Sequence, residues 1–382
     1  MRAIDYVTKI LPKIPFYALA RWGGPLWVNP LTLTFSVTSA CQSRCLTCHI
    51  GQRFADNPQI VANDLTLTEI ETIFAHLGEV YFLNISGGEP FMRSDLPQII
   101  ELACRYLRPR LIHIPTNALL PRRCADMTEA ILAIMDRELS SHAVLTIKPS
   151  VDGVGEEHDR LRGVAGNFVA LEETLERLLI LQKVYPRLHV DVGTVISVYN
   201  QDRLVGLSEW VHARGIGSYR HEIAEERFEF LNRGEGIAPL VEDYIYLIRQ
   251  FQADIVANIG TKSSVTRMTE AVRLVYYDVA LAILQTRRQV ISCYAGLSNI
   301  HLNYDGEVWP CCVLGGDRSF GNVRREGIHV LLRGSQAKNV RRFIVQGGCV
   351  CPLANQWLNN VLLTPRWMLK VVRRWLVLIF KN

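Results

Sequence analysis

A chain of 382 residues with 49% apolar and 21% charged side chains has a globular composition, long enough for one large domain and a smaller one. A net charge of +5 is too small to indicate nucleic acid, so no nucleic-acid partner is expected; no run of about 18 apolar residues predicts a spanning helix, and the N-terminus lacks a signal-peptide pattern. The ten cysteines therefore suggest a cytoplasmic, reducing setting, where clustered thiols are metal ligands more often than disulfides.

Residues 1–30 are an apolar and basic segment broken by Pro12, Pro15 and Pro25. Strands and helices then alternate. Leu31 to Thr38 reads as a strand, Thr68 to Leu77 as a helix with Thr68 at its N-cap, and Val80 to Ile85 as a buried strand. Helices are expected over Ser94–Leu107, Arg123–Glu138, Phe168–Val184 and Asp202–Arg214, and strands over Arg110–Pro115, Val144–Ser150, Leu188–Val195 and Ser218–Ile223. Six such units predict parallel βαβ connections and a partial (β/α)6 TIM-like barrel over residues 31–225, too few for a closed eight-stranded one. A helical connection follows over 226–290, with helices near Val241–Val256 and Thr266–Thr286. A small domain over 291–355 begins with a hairpin, Leu297–Val313, that turns at Asp305-Gly306.

Cys41, Cys45 and Cys48 form a C-x3-C-x2-C triplet just after the first strand. Three thiolates this close can hold one face of an iron–sulfur cubane, whereas full ligation uses four cysteines. One iron would stay open, as a position does in metal sites that bind substrate. The alternative is a zinc knuckle completed by His49 or a distant cysteine. After the second strand comes Gly87-Gly88-Glu89-Pro90, where two glycines let backbone approach a ligand and a carboxylate can accept from an ammonium group. Asn117 closes the third strand; Ser150 and Asp152 close the fourth. Ordinary turn chemistry would also place such residues there.

The triplet followed in register by Gly-Gly-Glu-Pro resembles the radical S-adenosylmethionine (SAM) superfamily. The resemblance implies a [4Fe-4S] cluster whose open iron is chelated by SAM. It implies reductive cleavage of SAM to a 5′-deoxyadenosyl radical, and hydrogen abstraction from a substrate C–H bond. In these terms Gly87, Gly88, Glu89 and Pro90 hold the methionyl amino group. The run Ser150, Asp152, Gly153, His158, Asp159, Arg162, Gly163 resembles peptide-modifying branches, with Ser150 at the cofactor's ribose and Arg162 at its carboxylate. Asn200 falls in the family's loop near adenine. Thr47 departs from the aromatic residue common before the third cysteine.

Cys293, Cys311, Cys312, Cys349 and Cys351 lie in the last third. Four thiolates can close a second cluster or a structural zinc site. The pattern resembles the SPASM/twitch extension in its shorter form, with one auxiliary [4Fe-4S] cluster on Cys293, Cys311, Cys349 and Cys351. Cys312 is an alternative to Cys311 or a thiol near the substrate, and the final pair departs from the family as C-x-C. The auxiliary cluster would accept an electron or position the substrate; a flavodoxin or ferredoxin would supply electrons. His221 and Glu222, at the sixth strand end, are candidate catalytic groups.

The last segment, 356–382, reads as an amphipathic basic helix: Arg366, Lys370, Arg373 and Arg374 on one side, Trp367, Val371, Trp375, Leu378 and Ile379 on the other, with Lys381 adding to its charge. Such a helix suits peripheral contact with an anionic membrane or docking on its own domain. Membrane contact would favour a lipid or lipid-linked substrate; a peptide-modifying enzyme or small-molecule dehydrogenase is the alternative, and a non-catalytic metal-binding interaction protein is the reading from another class.

Overall fold

The β-rich runs pair into one sheet in a computed structural model that describes residues 3–216, 218–260, 264–352 and 354–380. Strands β1 (Thr32–Ser36), β2 (Phe82–Ser86), β3 (Leu111–Thr116), β4 (Val144–Pro149), β5 (Leu188–Ile196) and β6 (Ser218–Ile223) are parallel neighbours in chain order. The alternation within β3, β4 and β6 sends every second side chain into the apolar layer under the helices and turns the others toward the lumen. Curvature without closure gives the expected partial barrel: β6 lies at one edge of the sheet and β9 at the other.

The hairpin extends this sheet. β7 (Asn299–Leu302) pairs parallel with β1, Thr32 opposite Asn299, and β8 (Glu307–Trp309) and β9 (Gly321–Asn322) follow antiparallel. The Asp305-Gly306 turn lies where the sequence places it, with Gly306 at φ +87°. Cys311 and Cys312, which follow β8, are thus carried on the same sheet that carries the first three.

The outer layer comprises α1 (Ile14–Arg21), α2 (Leu67–Leu77), α3 (Leu96–Leu102), α4 (Pro121–Glu138), α5 (Glu156–Arg162), α6 (Asn167–Val184), α7 (Leu204–Ala213), α8 (Val241–Ala257) and α9 (Ser264–Thr286). α2 starts earlier than the sequence suggests. Thr66, not Thr68, is its cap: Glu69 N–H donates to the Thr66 hydroxyl at 3.3 Å and Thr66 N–H donates to the Glu69 carboxylate at 2.8 Å. α3 passes into a single π-turn, Ala103–Leu107.

The stretch read as one basic C-terminal helix contains two, preceded by α10 (Ser335–Val345): α11 (Ala354–Leu363) and α12 (Pro365–Ile379). Thr364 is extended and Pro365 lacks the N–H that would continue the first helix. Trp367, Val371 and Leu378 of α12 are buried against Leu274 and Val275 of α9. Arg267 closes the far end by donating to the carbonyls of Leu378 and Ile379, both at 2.9 Å. The apolar face singled out in the sequence is therefore docked on the chain itself; Lys381 lies outside the described residues. Among the described residues no helix is long and apolar enough to cross a membrane.

Leu378→Ala is expected to destabilise the protein by about 2–5 kcal/mol, as truncation of a buried leucine does. Leu376→Ala, on the exposed side, should stay within about 0.5 kcal/mol. Anaerobic urea unfolding measures both; equal losses would refute the docked face.

Candidate active site

The loop after β1 leaves the sheet as buried backbone, Val37 to Ala40, and then carries the three cysteines. Asp64 ties its start, accepting from the Thr38 hydroxyl at 2.6 Å and from Ser39 N–H at 3.1 Å. Glycines let other segments press on it. A Cβ at Gly88 would stand 1.9 Å from the Ala40 carbonyl oxygen, one at Gly51 1.6 Å from that of Ser43, and one at Gly163 2.2 Å from that of Arg44. Gly87, at φ +109°, makes the turn before this contact. Gly88 N–H donates to Thr38 O at 2.8 Å, Glu89 N–H to Ala40 O at 2.7 Å, and Arg44 N–H to Arg162 O at 2.9 Å. The cysteine loop is thereby bonded to the glycine loop and to the end of α5.

Glu89 is buried and knots the ends of β2 and β3. It accepts from Phe91 N–H at 3.1 Å, the Thr116 hydroxyl at 2.8 Å and Asn117 N–H at 2.7 Å. Burial pushes its carboxyl up to about 7 despite these donors. Pro90, also buried, starts a short 3-10 turn. The Asn117 amide reaches back to the loop, donating to the Ser43 hydroxyl at 2.9 Å and lying 3.9 Å from Cys41 Sγ. Arg162 pairs with Asp152 at 2.7 Å and sits 3.7 Å from Cys45 Sγ. Burial, then Cys45 and Glu89, push the Cys41 thiol up to about 12. Burial lifts Cys48 well above the usual thiol range. Such thiols lose their protons readily only to a metal, and Arg162 supplies the adjacent positive charge.

Ser150 and Asn200 sit one step further out. Ser150 is half-buried, its N–H bonded to Thr116 O at 2.9 Å. The Asn200 amide donates to Asp152 O at 3.1 Å and to Val195 O at 3.0 Å and accepts from Ser197 N–H at 2.9 Å, fastening the ends of β4 and β5 together. The fold thus gathers Cys41, Cys45, Cys48, Gly87, Gly88, Glu89, Asn117, Asp152 and Arg162 at one rim, and gives Asn200 protein partners.

The lumen is charged. Lys148 lies against Gly193, whose missing side chain makes room for it, and its ammonium is 3.2 Å from Glu222. Burial raises the Glu222 carboxyl, but Lys148 and Arg227 outweigh it and hold it below its ordinary value. Glu229 accepts from the Ser86 hydroxyl at 2.8 Å and from Ser36 at 3.3 Å, and Ser36 is 2.8 Å from the His301 ring. The two candidates at the end of β6 part company: Glu222 faces the lumen, while His221 faces outward and stacks on Phe251 of α8 at 3.5 Å between ring centroids. Glu225, Arg227 and Glu229, on the segment after β6, escaped the sequence reading because that segment follows no motif. It is joined to the cysteine loop by Asn232, which donates to Thr47 O at 2.7 Å and accepts from Arg227 N–H at 2.8 Å.

Cys293, Cys349 and Cys351 line one small cleft with Tyr276, Trp357 and Asn360. Cys311 is buried within electrostatic reach of Cys351 and Cys293, whereas the opposing charge nearest Cys312 is Arg227. Of the two, Cys312 is the one within reach of Arg227, Glu229 and Glu225 on the segment after β6.

Comparison with known proteins agrees with this construction. Residues 35–211 match the radical SAM superfamily and residues 293–352 the SPASM iron–sulfur cluster-binding domain. The chain belongs to the radical SAM superfamily, in its SPASM/twitch branch. Its cofactors are accordingly SAM, a [4Fe-4S] cluster and an auxiliary iron–sulfur cluster, which sets aside the zinc alternatives. Among curated relatives, a GTP 3′,8-cyclase of Xanthomonas campestris pv. campestris (strain B100) is 28% identical over 52% of this chain and 53% of the cyclase. The subtilosin biosynthesis protein AlbA of Bacillus subtilis (strain 168) is 21% identical over 77% of this chain and 57% of AlbA. The chain thus spans about half the length of the curated relatives it matches. Of solved structures, anSMEcpe with bound AdoMet and a peptide superposes with TM-score 0.55 at 13% identity over 92% of this chain and 97% of that one. SuiB of Streptococcus suis gives 0.54 at 16% identity over 82% and 68%. These likenesses concern the fold.

The contact of Gly163 with Arg44 gives a paired test. Gly163→Ala, at φ +67° and against backbone, should prevent stable cluster insertion on the first loop. Gly166→Ala, at φ +79° with nothing within 4 Å, should cost only backbone strain of roughly 1–2 kcal/mol and leave insertion intact. Iron per chain after anaerobic reconstitution reads the difference; equal iron in both would refute the clamp.

Proposed function

We propose that this radical SAM enzyme functionalises a C–H bond of a polar, charge-bearing substrate held in the lumen between its two clusters. The observation that carries the proposal is the charged lumen itself: Lys148 pairs with Glu222, Glu229 takes the hydroxyls of Ser36 and Ser86 from β1 and β2, which lead to the first cysteines and the glycine loop, and His301 sits on β7 of the hairpin that leads to Cys311 and Cys312. Bound by Cys41, Cys45 and Cys48, the cluster with SAM would supply a reductively generated organic radical able to take a hydrogen atom from an unactivated carbon.

This chain's residues bind, orient and shield. Gly87 and Gly88 keep the loop backbone open to a ligand, and Glu89 fixes the strand ends around it: its Oε1 takes both Phe91 N–H and the Thr116 hydroxyl, while Oε2, holding Asn117 N–H alone, keeps one lone pair for a substrate or cofactor ammonium. Arg162 offers its guanidinium to a carboxylate beside Cys45, and Asp152 holds that guanidinium in place. Asn117, Ser150 and Asn200 shape the rim at β3, β4 and β5. Lys148 and Arg227 would fix anionic groups of the substrate, Glu225 and Glu229 cationic or hydroxyl groups; unlike sites for apolar ligands, such a lumen pays for desolvation only when the ligand replaces each lost hydrogen bond.

The auxiliary cluster, on Cys293, Cys311, Cys349 and Cys351, would accept an electron or position the substrate. A flavodoxin or ferredoxin is the proposed electron donor and the cytoplasm the proposed setting, since the ten cysteines form no disulfide among the described residues. A peptide is the favoured substrate class. The AlbA match runs over three-quarters of the chain, while that to the cyclase covers half, and the Ser150–Gly163 run resembles peptide-modifying branches. The charged groups paired in this lumen suit a polar ligand better than an acyl chain, so the expected lipid substrate is not proposed.

Anaerobically reconstituted protein should hold about eight irons, falling to about four in a Cys41/Cys45/Cys48→Ala variant, on the logic of four cysteines per cubane. Conversion of SAM to 5′-deoxyadenosine should vanish with them. Turnover should be stimulated by peptide fractions of an extract and not by its lipid fraction, and Arg227→Gln should abolish the stimulation while SAM still binds. Stimulation by lipid alone would overturn the substrate class; a native protein that never cleaves SAM would overturn the activity.

A further inference from the structure

The face of α12 that points away from α9 is also apolar. Leu369, Leu376, Val377 and Phe380 are exposed there, Phe380 at 80%, beside exposed Arg366, Lys370 and Arg373. Burial of Trp367, Val371 and Leu378 satisfies one side of the helix and leaves this second stripe uncovered. The N-terminal segment behaves likewise. Phe16, Leu19, Trp22 and Trp27 are exposed, Trp22 at 77% and Trp27 at 63%, with Phe16 packed edge-on to Trp27 at 6.1 Å. Two tryptophans left in water are unusual for a surface meant only for solvent.

The two segments are joined. The Tyr6 hydroxyl donates to the carbonyl of Leu362 at 3.1 Å, three residues before α12 begins, and α1 packs beside α10. Charge follows the same outline. No aspartate or glutamate occurs after Glu326, and in residues 1–30 the single acidic residue, Asp5, is buried with Arg110 at 4.0 Å. On α12 Arg374 is paired with Asp278 at 3.1 Å, and the Lys370 ammonium lies over the Trp367 ring at 3.8 Å.

We propose that the N-terminal segment and the outer stripe of α12 form a single surface that docks on an anionic lipid bilayer. Aromatic and aliphatic groups would enter the headgroup boundary, tryptophan being well suited to that depth. Arg366, Lys370 and Arg373 would meet lipid phosphates while their stems cover apolar surface. A second copy of the chain is a poor occupant. A two-fold contact would set Arg366, Lys370 and Arg373 against their own copies, with like charges opposed. The inference concerns where the enzyme sits and is independent of what enters its lumen.

The test uses the reconstituted full chain and sedimentation with vesicles of phosphatidylcholine alone or mixed with phosphatidylglycerol. Binding is expected to the anionic vesicles and to be about tenfold weaker or more on neutral ones and at high salt. The double variants Leu376→Glu/Phe380→Glu and Trp22→Ser/Trp27→Ser should each lose about tenfold or more in vesicle affinity. Their iron content and SAM cleavage should match the native protein, which separates lost docking from lost folding and from failure of the proposed activity. No binding, equal binding to both vesicles, or variants that bind as well as the native chain would overturn the proposal. So would a concentration-dependent dimer, seen by sedimentation velocity, that the same variants dissolve: a second copy would then cover the face.

Discussion

A side chain at position 88 would place its first carbon 1.9 Å from the carbonyl oxygen of Ala40. That contact, repeated at Gly51 and Gly163, is the constraint on which the active site rests. Three segments that are distant in sequence can touch one loop only because none of them has a Cβ at the point of approach. The backbone bonds that follow, from Gly88 to Thr38, Glu89 to Ala40 and Arg44 to Arg162, turn a loop of small and polar residues into a fixed platform. Three thiols, two of them raised by burial, would be a poor trio of metal ligands on a mobile loop. On a fixed one, with Arg162 beside Cys45 and the Asn117 amide beside Cys41, they are preorganised for a cluster.

The same economy of side chains organises the lumen. Period-two alternation sends Leu145, Ile147, Tyr219 and Ile223 under the helices, so their neighbours Thr146, Lys148, Arg220 and Glu222 must face one another. Gly193 leaves the space that Lys148 occupies. A charged lysine and three carboxylates (Glu222, Glu225 and Glu229) in one partly dry interior are costly unless paired. Lys148 and Glu222 pair with each other, and Glu229 takes two hydroxyls. Burial leaves the Glu225 carboxyl pushed up to about 7, and one of its oxygens is buried with no protein partner. The Arg227 Nε is in the same condition. Buried polar groups that the protein does not satisfy are the ones a ligand is positioned to satisfy, and these two lie on the segment that Asn232 fastens to Thr47.

What the sequence made legible was pattern with a short range. The six βα units and the Asp305-Gly306 turn depend on spacing within some tens of residues, and each stands where expected. The capping residue was misplaced by two positions, because Thr66 and Thr68 are equally good caps until the reciprocal Glu69 bond chooses between them. The pairing of β7 with β1 joins residues more than 260 apart, and no local signal carries it. His221 and Glu222 are adjacent in sequence and opposite in space, a distinction that needs the register of β6. Gly51 and Gly163 look like ordinary helix and turn glycines until the Cys loop is seen to pass against them. α12 shows the limit of an amphipathic pattern. The wheel identified the apolar face of Trp367, Val371 and Leu378, and packing assigned it to α9; the second apolar stripe emerged only once the first was covered.

The parallel pairing of β1 with β7 also fixes how the two cysteine sets relate. β1 runs directly into the loop of Cys41, and β7 and β8 run into Cys311, so the ladder between Thr32–Phe35 and Asn299–Leu302 sets the span between them. The rest of the auxiliary site comes from elements outside the barrel. Asn360 of α11 accepts from Tyr294 N–H at 2.9 Å, and Tyr276 of α9 donates to Pro352 O at 3.0 Å. α11 leads straight into α12, and Arg21 at the end of α1 lies over the Tyr294 ring at 5.9 Å. The elements that complete the auxiliary site, α9 and α11, are therefore the ones that α12 packs on and continues from. A protein whose terminal segments served only to cover a core would bury its aromatic residues there. This one buries a single face of α12 to brace the auxiliary site and turns Trp22, Trp27 and Phe380 outward, so bracing and surface are two uses of the same helices.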